Sequence, residues 1–268
     1  MTQLTYAITD SRTMLRRQLK HLLRYPAMTV LLLGMPVVFL LLFVYVFGGQ
    51  LGAGLTHLHF AGHSSRSTYL NFVVPGILLM TIAAAANGTA ILVAMDMTGG
   101  IVARFRTMSI ARASVLAGHV LGSVIQALLG VVVVTVIALA LGFRPTADPL
   151  DWLAGLAILI LFANALAWLA TALGLAANSV ETASNTPMFL TLLPFLSSGF
   201  VLIASLPIGL RQFAQYQPFT PVTDSLRGLL FGGASLASDI LPAIAWSVGI
   251  TLASYLWARH VYNRRPVT

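Results

Sequence analysis

This chain offers little for chemistry: seven carboxylates, six histidines, a single lysine and no cysteine in 268 residues. Without cysteine there are no disulfides, no cysteine-ligated metals and no thiol nucleophile. His57, His59 and His63 are spaced closely enough to ligate a metal, but no carboxylate joins them, and the stretch reads as a solvated loop. Lys20 sits in RRQLKHLL, away from the glycines a phosphate-binding loop of the G-x-x-x-x-G-K-[ST] kind requires. A membrane enzyme acting on lipids would have to build its centre from Asp96, Glu181 and His119. The first two are expected at separate helix ends, and His119 is expected alone near the inner end of its span. An ion-coupled transporter commonly keeps a carboxylate in mid-membrane, and none of the long apolar stretches holds one. Any work this chain performs must draw its energy from elsewhere.

Six stretches without Asp, Glu, Lys or Arg would carry such functional groups: residues 27–47, 71–95, 115–143, 152–177, 186–206 and 240–258. A hydrocarbon core about 30 Å thick needs roughly 20 apolar residues of helix. At 58% hydrophobic and 8% charged, the chain reads as an all-α polytopic membrane protein, one transmembrane domain over residues 1–268 with six membrane-spanning helices. The first stretch follows 26 polar and basic residues and is longer than a signal-peptide core, so it is expected to be a retained span. The net charge of +8 flanks membrane spans, which favours anionic lipid headgroups over nucleic acid as the partner. Eleven of the fifteen basic residues fall on one set of connections, including both ends, which predicts cytoplasmic termini in the cell membrane.

The connections are the more specific segments. Residues 1–26 read as a basic amphipathic interfacial helix, capped by Asp10 or Ser11 and stopped by Pro26. The inner connection 96–112 reads DMTGGIVARFRTMSIAR. Gly99 and Gly100 permit a break, and Arg104, Phe105 and Arg106 then begin a short helix. That helix either fixes topology by charge or docks a cytoplasmic protein, with Phe105 as an apolar knob. Glu181, the one glutamate, belongs to the short inner connection 178–185 and is expected at a helix end. Residues 207–237 are too polar and proline-punctuated to span, and read as an outer re-entrant helical hairpin between spans five and six. Thr220 and Pro221 suggest an N-cap and first helical residue, with Gly232 and Gly233 as the stop. Asp224 and Arg227 lie three apart on one helical face, where they neutralise each other or meet substrate.

Two of these segments carry a resemblance. The run from Asp96 through Gly99, Gly100, Arg104, Phe105, Arg106 and Arg112 to Gly118 is similar to the cytoplasmic signature of the ABC-2 type transporter permeases, in particular the daunorubicin-resistance (DrrB-like) branch. So is the sequence from Glu181 through PFLSSGFV to LPIGLRQFAQYQPFTPVTDSLRGLLFGG. The branch usually has proline where Ser109 and Leu202 stand here. The resemblance implies an exporter subunit that is not itself an enzyme and holds no cofactor. ATP and magnesium would sit on a separate ATP-binding subunit, and a second permease copy or paralogue would complete the pathway. The cargo would be an amphiphilic small molecule, such as a drug or lipid. On this reading Asp96, Gly99, Gly100, Arg104, Phe105, Arg106 and Arg112 form the coupling segment to the ATPase. Pro218, Pro221, Asp224 and Arg227 would line or gate the outward exit, with substrate passing between the two copies.

Overall fold

A chain in hydrocarbon must satisfy its own backbone hydrogen bonds, and helices do so residue by residue. The computed structural model describes residues 26–53, 64–98 and 112–264, and among these every regular element is helical. The N-terminal amphipathic segment, the histidine loop at 57–63 and most of the 96–112 connection lie outside the described residues. Helix α1 (Pro26–Leu42) continues through a π-type turn, Phe43–Phe47, into α2 (Gly48–Ala53). It is followed by α3 (Ser65–Thr98), α4 (Arg112–Ala140) and α5 (Pro149–Ala176). Among the described residues, five helices are long and apolar enough to cross a membrane: Gly34–Ala53, Ser65–Thr98, Leu116–Ala140, Pro149–Ala176 and Ala237–Tyr262.

Helix α3 is the axis. Its 34 residues are apolar on every side, the pattern of a helix surrounded by others, and side chains from Leu70 to Ala94 are buried around its circumference. Helices α1, α4 and α5 pack against it, and the last helix packs on α5. The outer helices turn apolar side chains away from the bundle, among them Val132, Val136, Leu153, Leu252 and Trp257. Water would penalise such a surface; lipid does not. Inside, contact depends on small residues, because helices in lipid associate through close packing. A Cβ on Gly174 of α5 would stand 2.5 Å from the Ala90 carbonyl oxygen of α3, so the two backbones touch there.

The expected fifth span, residues 186–206, is not one helix. A short α6 (Val180–Asn185) precedes it, and the run itself divides into α7 (Met188–Leu192), a 3-10 turn at Leu193–Leu196, an open bend, and a second 3-10 turn at Ile203–Ser205. Pro187 and Pro194 explain the breaks, since each withholds an N–H and crowds the preceding turn. Four phenylalanines hold this broken run against α1: the rings of Phe195 and Phe200 are 4.9 Å apart, Phe43 and Phe200 5.2 Å, and Phe39 and Phe195 5.5 Å.

Two short helices occupy the polar section that follows, α8 (Ile208–Tyr216) and α9 (Phe219–Phe231). Helix α9 begins two residues earlier than the Thr220 cap suggests. Pro218 takes the capping position, and the Thr220 hydroxyl donates backward to the Ala214 carbonyl. Gly232 and Gly233 end α9 with φ of 84° and 91°, which a side chain would resist. A π-type turn, Leu236–Ile240, leads into α10 (Leu241–Arg264).

The α3–α5 contact can be tested directly. Gly174→Val forces a branched side chain into the Ala90 backbone, and overpacking of this kind costs about 1–3 kcal/mol. Thermal unfolding in detergent should shift downward for this variant. It should stay put for Gly249→Ala in α10, where a Cβ meets open space.

Candidate functional site

Arg227 is the most connected side chain of the section between residues 186 and 240. Its Nη1 donates to Asp224 Oδ1 at 3.0 Å, one helical turn back in α9. Its Nη2 donates to the carbonyl oxygens of Ser198 at 2.7 Å and Phe72 at 3.2 Å. The guanidinium carbon also lies 4.6 Å from the centre of the Phe72 ring, in cation–π contact. The Ser198 hydroxyl donates to the same Asp224 oxygen at 2.6 Å. One side chain thus joins α9, α3 and the bend in the broken run. The planar fork of an arginine suits this task, because it offers several donors in fixed directions. The Arg227 side chain is 11% exposed and that of Asp224 37%, so the charge pair is sunk on the arginine side and reachable on the carboxylate side.

These contacts answer a backbone problem created by the prolines. In an unbroken helix the Leu193 carbonyl would accept from the Ser197 N–H, but that N–H turns to Pro194 instead. Gln217, between α8 and α9, donates to the Leu193 carbonyl at 3.2 Å. The Ser198 carbonyl, in the bend, is taken by Arg227. On α3, Pro75 withholds the N–H that Asn71's carbonyl would use, and Phe72 next to it accepts from Arg227. Backbone contact secures the same place: a Cβ on Gly199 would lie 2.7 Å from the Gly76 Cα. Buried polar backbone needs partners, and here α9 and the α8–α9 junction supply them.

At the far end of α3, Asp96 Oδ2 lies 3.2 Å from His119 Nε2 on α4, with side-chain exposures of 13% and 7%. His119 is therefore not alone, as its place in the sequence suggests, but paired with the first residue of the expected coupling segment. Glu181 joins neither. It is fully exposed in the first turn of α6, behind the Ser179 cap, and hydrogen bonds from its own backbone N–H and from Ser179 hold its carboxyl below the usual range. The Asp96–Glu181–His119 centre of a lipid enzyme is not assembled, and no group of three potential metal ligands occurs among the described residues. Arg112 is the first residue of α4. Gly99, Gly100, Arg104, Phe105 and Arg106 lie outside the described residues. Pro218 and Pro221 frame the start of α9, one turn before Asp224.

A recess of about 560 Å³ opens between α4 and α5, walled by residues such as Val132, Val136 and Leu156 and backed by Leu226 and Leu230 of α9. Its lining is almost wholly apolar, and its rear wall is the helix that carries Arg227.

Sequence reasoning singled out Asp224 and Arg227 by spacing but missed Ser198, Phe72 and Gln217. The available signal was the run of helix breakers around them: Pro75, Pro187 and Pro194 each free a carbonyl or force a bend, and a buried donor must then be found nearby.

Residues 9–231 match the family model described as ABC-2 type transporter. The chain is 27% identical over 247 residues to the daunorubicin resistance ABC transporter permease protein DrrB1 of Streptomyces coeruleorubidus, covering 92% of this chain and 80% of that one. It is 25% identical over 178 residues to the probable doxorubicin resistance ABC transporter permease protein DrrC of Mycobacterium tuberculosis, covering 66% and 64%.

Arg227→Ala strands a carboxylate and two carbonyls, and breaking a buried pair in this way costs about 3–5 kcal/mol. The variant reconstituted in nanodiscs should melt well below the parent. Arg227→Lys should recover only part of the loss, since a single ammonium cannot reproduce the fork. Asp224→Asn keeps a carbonyl oxygen for Ser198 but leaves the guanidinium without its counter-charge, and should cost about 1.5–3 kcal/mol. A lysine variant as stable as the parent would contradict this geometry.

Proposed function

Because the chain belongs to the ABC-2 type transporter family, we propose that it is the membrane-embedded permease subunit of an ATP-driven exporter for amphiphilic small molecules. The observation that carries this reading is the likeness to drug-resistance permeases along nearly the whole chain. The absence of a P-loop from the sequence agrees with it, since hydrolysis then belongs to a separate ATP-binding subunit. On this reading the chain transports and does not catalyse a reaction. Its termini are cytoplasmic, and a second copy or a paralogue completes the pathway.

The coupling segment is Asp96, Gly99, Gly100, Arg104, Phe105, Arg106 and Arg112, with the arginines and Phe105 pressed into the ATPase. The exit is at the other end, where α8 and α9 dip into the outer half of the bilayer and Pro218, Pro221, Asp224 and Arg227 line or gate the way out. The apolar recess behind α9 supports a greasy cargo, because an amphiphile's hydrocarbon portion loses nothing on entering it. ATP favours one of two arrangements of the bundle only to the extent that it binds them with different affinity.

The test is co-expression with the cognate ATP-binding subunit. Arg104→Glu combined with Arg106→Glu should reduce cargo-stimulated ATP hydrolysis by more than about tenfold, because like-charge juxtaposition at an interface costs several kcal/mol. The exposed Arg144→Glu, on the opposite set of connections, should leave it intact. Transport by the chain in the absence of any ATPase would contradict the proposal.

A further inference from the structure

Asp96 and His119 join the ends of two helices. Asp96 stands in the last turn of α3, where the negative end of the helix dipole opposes a carboxylate. A charge in so unfavourable a position needs compensation, and the partner is on the neighbouring helix. His119 lies seven residues into α4, about 10 Å from its start. Its Nε2 is 3.2 Å from the carboxylate, so this nitrogen carries the proton and donates. The other ring nitrogen, Nδ1, is buried without a hydrogen-bond partner in the described structure. Most of the ring's polar worth is thus committed to Asp96.

The surroundings make the pair a fixed joint. Val93 and Leu116, about one turn from Asp96 and His119 respectively, belong to a buried cluster with Leu175 of α5 and Tyr262 of α10. One residue after Val93, Ala94 packs with Ala177 and with Ala183 of α6. The ends of α3 and α4 are therefore packed on several sides, and the Asp96–His119 contact ties them to each other. The chain between these ends, residues 99–111, holds Arg104, Phe105 and Arg106.

We infer that His119 is a positioning residue of the coupling machinery. With Asp96 it clamps the two roots of the 99–111 connection, so that a push on that connection moves α3 and α4 as one body. This inference rests on the permease reading above. Without the clamp the two roots can spread, and the motion is absorbed between the helices.

The experiment uses the full permease assembled with its ATP-binding subunit in proteoliposomes, and reads cargo transported per ATP hydrolysed. Three variants are compared with the parent: His119→Gln, whose amide nitrogen can stand where Nε2 stands, His119→Asn, whose shorter amide cannot reach Asp96, and the exchanged pair Asp96→His with His119→Asp. The ratio should fall about tenfold for the asparagine variant, the scale set by losing one charge-assisted buried hydrogen bond. The glutamine variant and the exchanged pair should stay within about threefold of the parent, the scatter common for such contacts.

Asparagine coupling as well as glutamine would overturn the inference. So would assembled glutamine and exchanged-pair complexes that are both as uncoupled as asparagine. If the parent chain itself forms no complex with an ATPase, the permease reading fails instead, and the two failures are told apart by that control. Should the asparagine variant not accumulate, spin labels on cysteines replacing the exposed Met95 and Leu121 in the parent and glutamine backgrounds give a second reading. The distribution of distances between the labels should be unchanged by His119→Gln and broadened by Asp96→Ala, and identical distributions throughout would overturn the clamp.

Discussion

Unpaired backbone carbonyls in a broken stretch of an apolar bundle are the constraint from which the rest of this structure follows. Lipid cannot hydrogen-bond a peptide group, so any departure from helix must be covered by protein donors. The chain departs from α-helix between residues 192 and 207, and α9 with the α8–α9 junction brings the cover: Gln217 to Leu193 and Arg227 to Ser198. The same guanidinium reaches Phe72 beside the Pro75 irregularity of α3. Remove that side chain and three elements lose their common partner. The phenylalanine cluster with α1, the Gly76–Gly199 backbone contact and the Ser198–Asp224 hydrogen bond are then left to hold the bend.

A second consequence concerns α3. Phe72 near its beginning and Asp96 near its end are separated by about 36 Å of helix, close to the thickness of a hydrocarbon core. One buried, nearly featureless rod therefore carries the Arg227 junction at one end and the Asp96–His119 joint at the other. Its interior is apolar and tightly packed, and packed interiors transmit displacement rather than absorb it. This gives the proposed permease a physical route between its energy input and its exit. The helices on the periphery have another part, presenting apolar surface to lipid and framing the recess behind α9.

Much of this was legible from the residue order. Long runs without charge mark helices that cross a membrane, and Gly232–Gly233 marks where α9 must stop. The three-residue spacing of Asp224 and Arg227 placed them on one face, and they do pair. The fifth apolar run reads as a simple span because its hydropathy hides Pro187 and Pro194, whose cost is conformational and not a matter of polarity. Ser198 and Phe72 escaped notice since they take part through their backbone carbonyls, a role that side-chain identity does not advertise. His119 reads as solitary because its partner is 23 residues away on another helix, a distance that only tertiary packing closes. The proposed coupling segment is legible as charge and an aromatic, and its residues 99–111 lie outside the described residues.

The most direct test is an experimental structure of the chain with its ATP-binding partner in a lipid bilayer, resolved well enough to see side chains. The account predicts a broken run between residues 186 and 206, with the Arg227 guanidinium within hydrogen-bonding distance of the Ser198 and Phe72 carbonyls. A continuous helix over those residues, with Arg227 turned away into water, would contradict it.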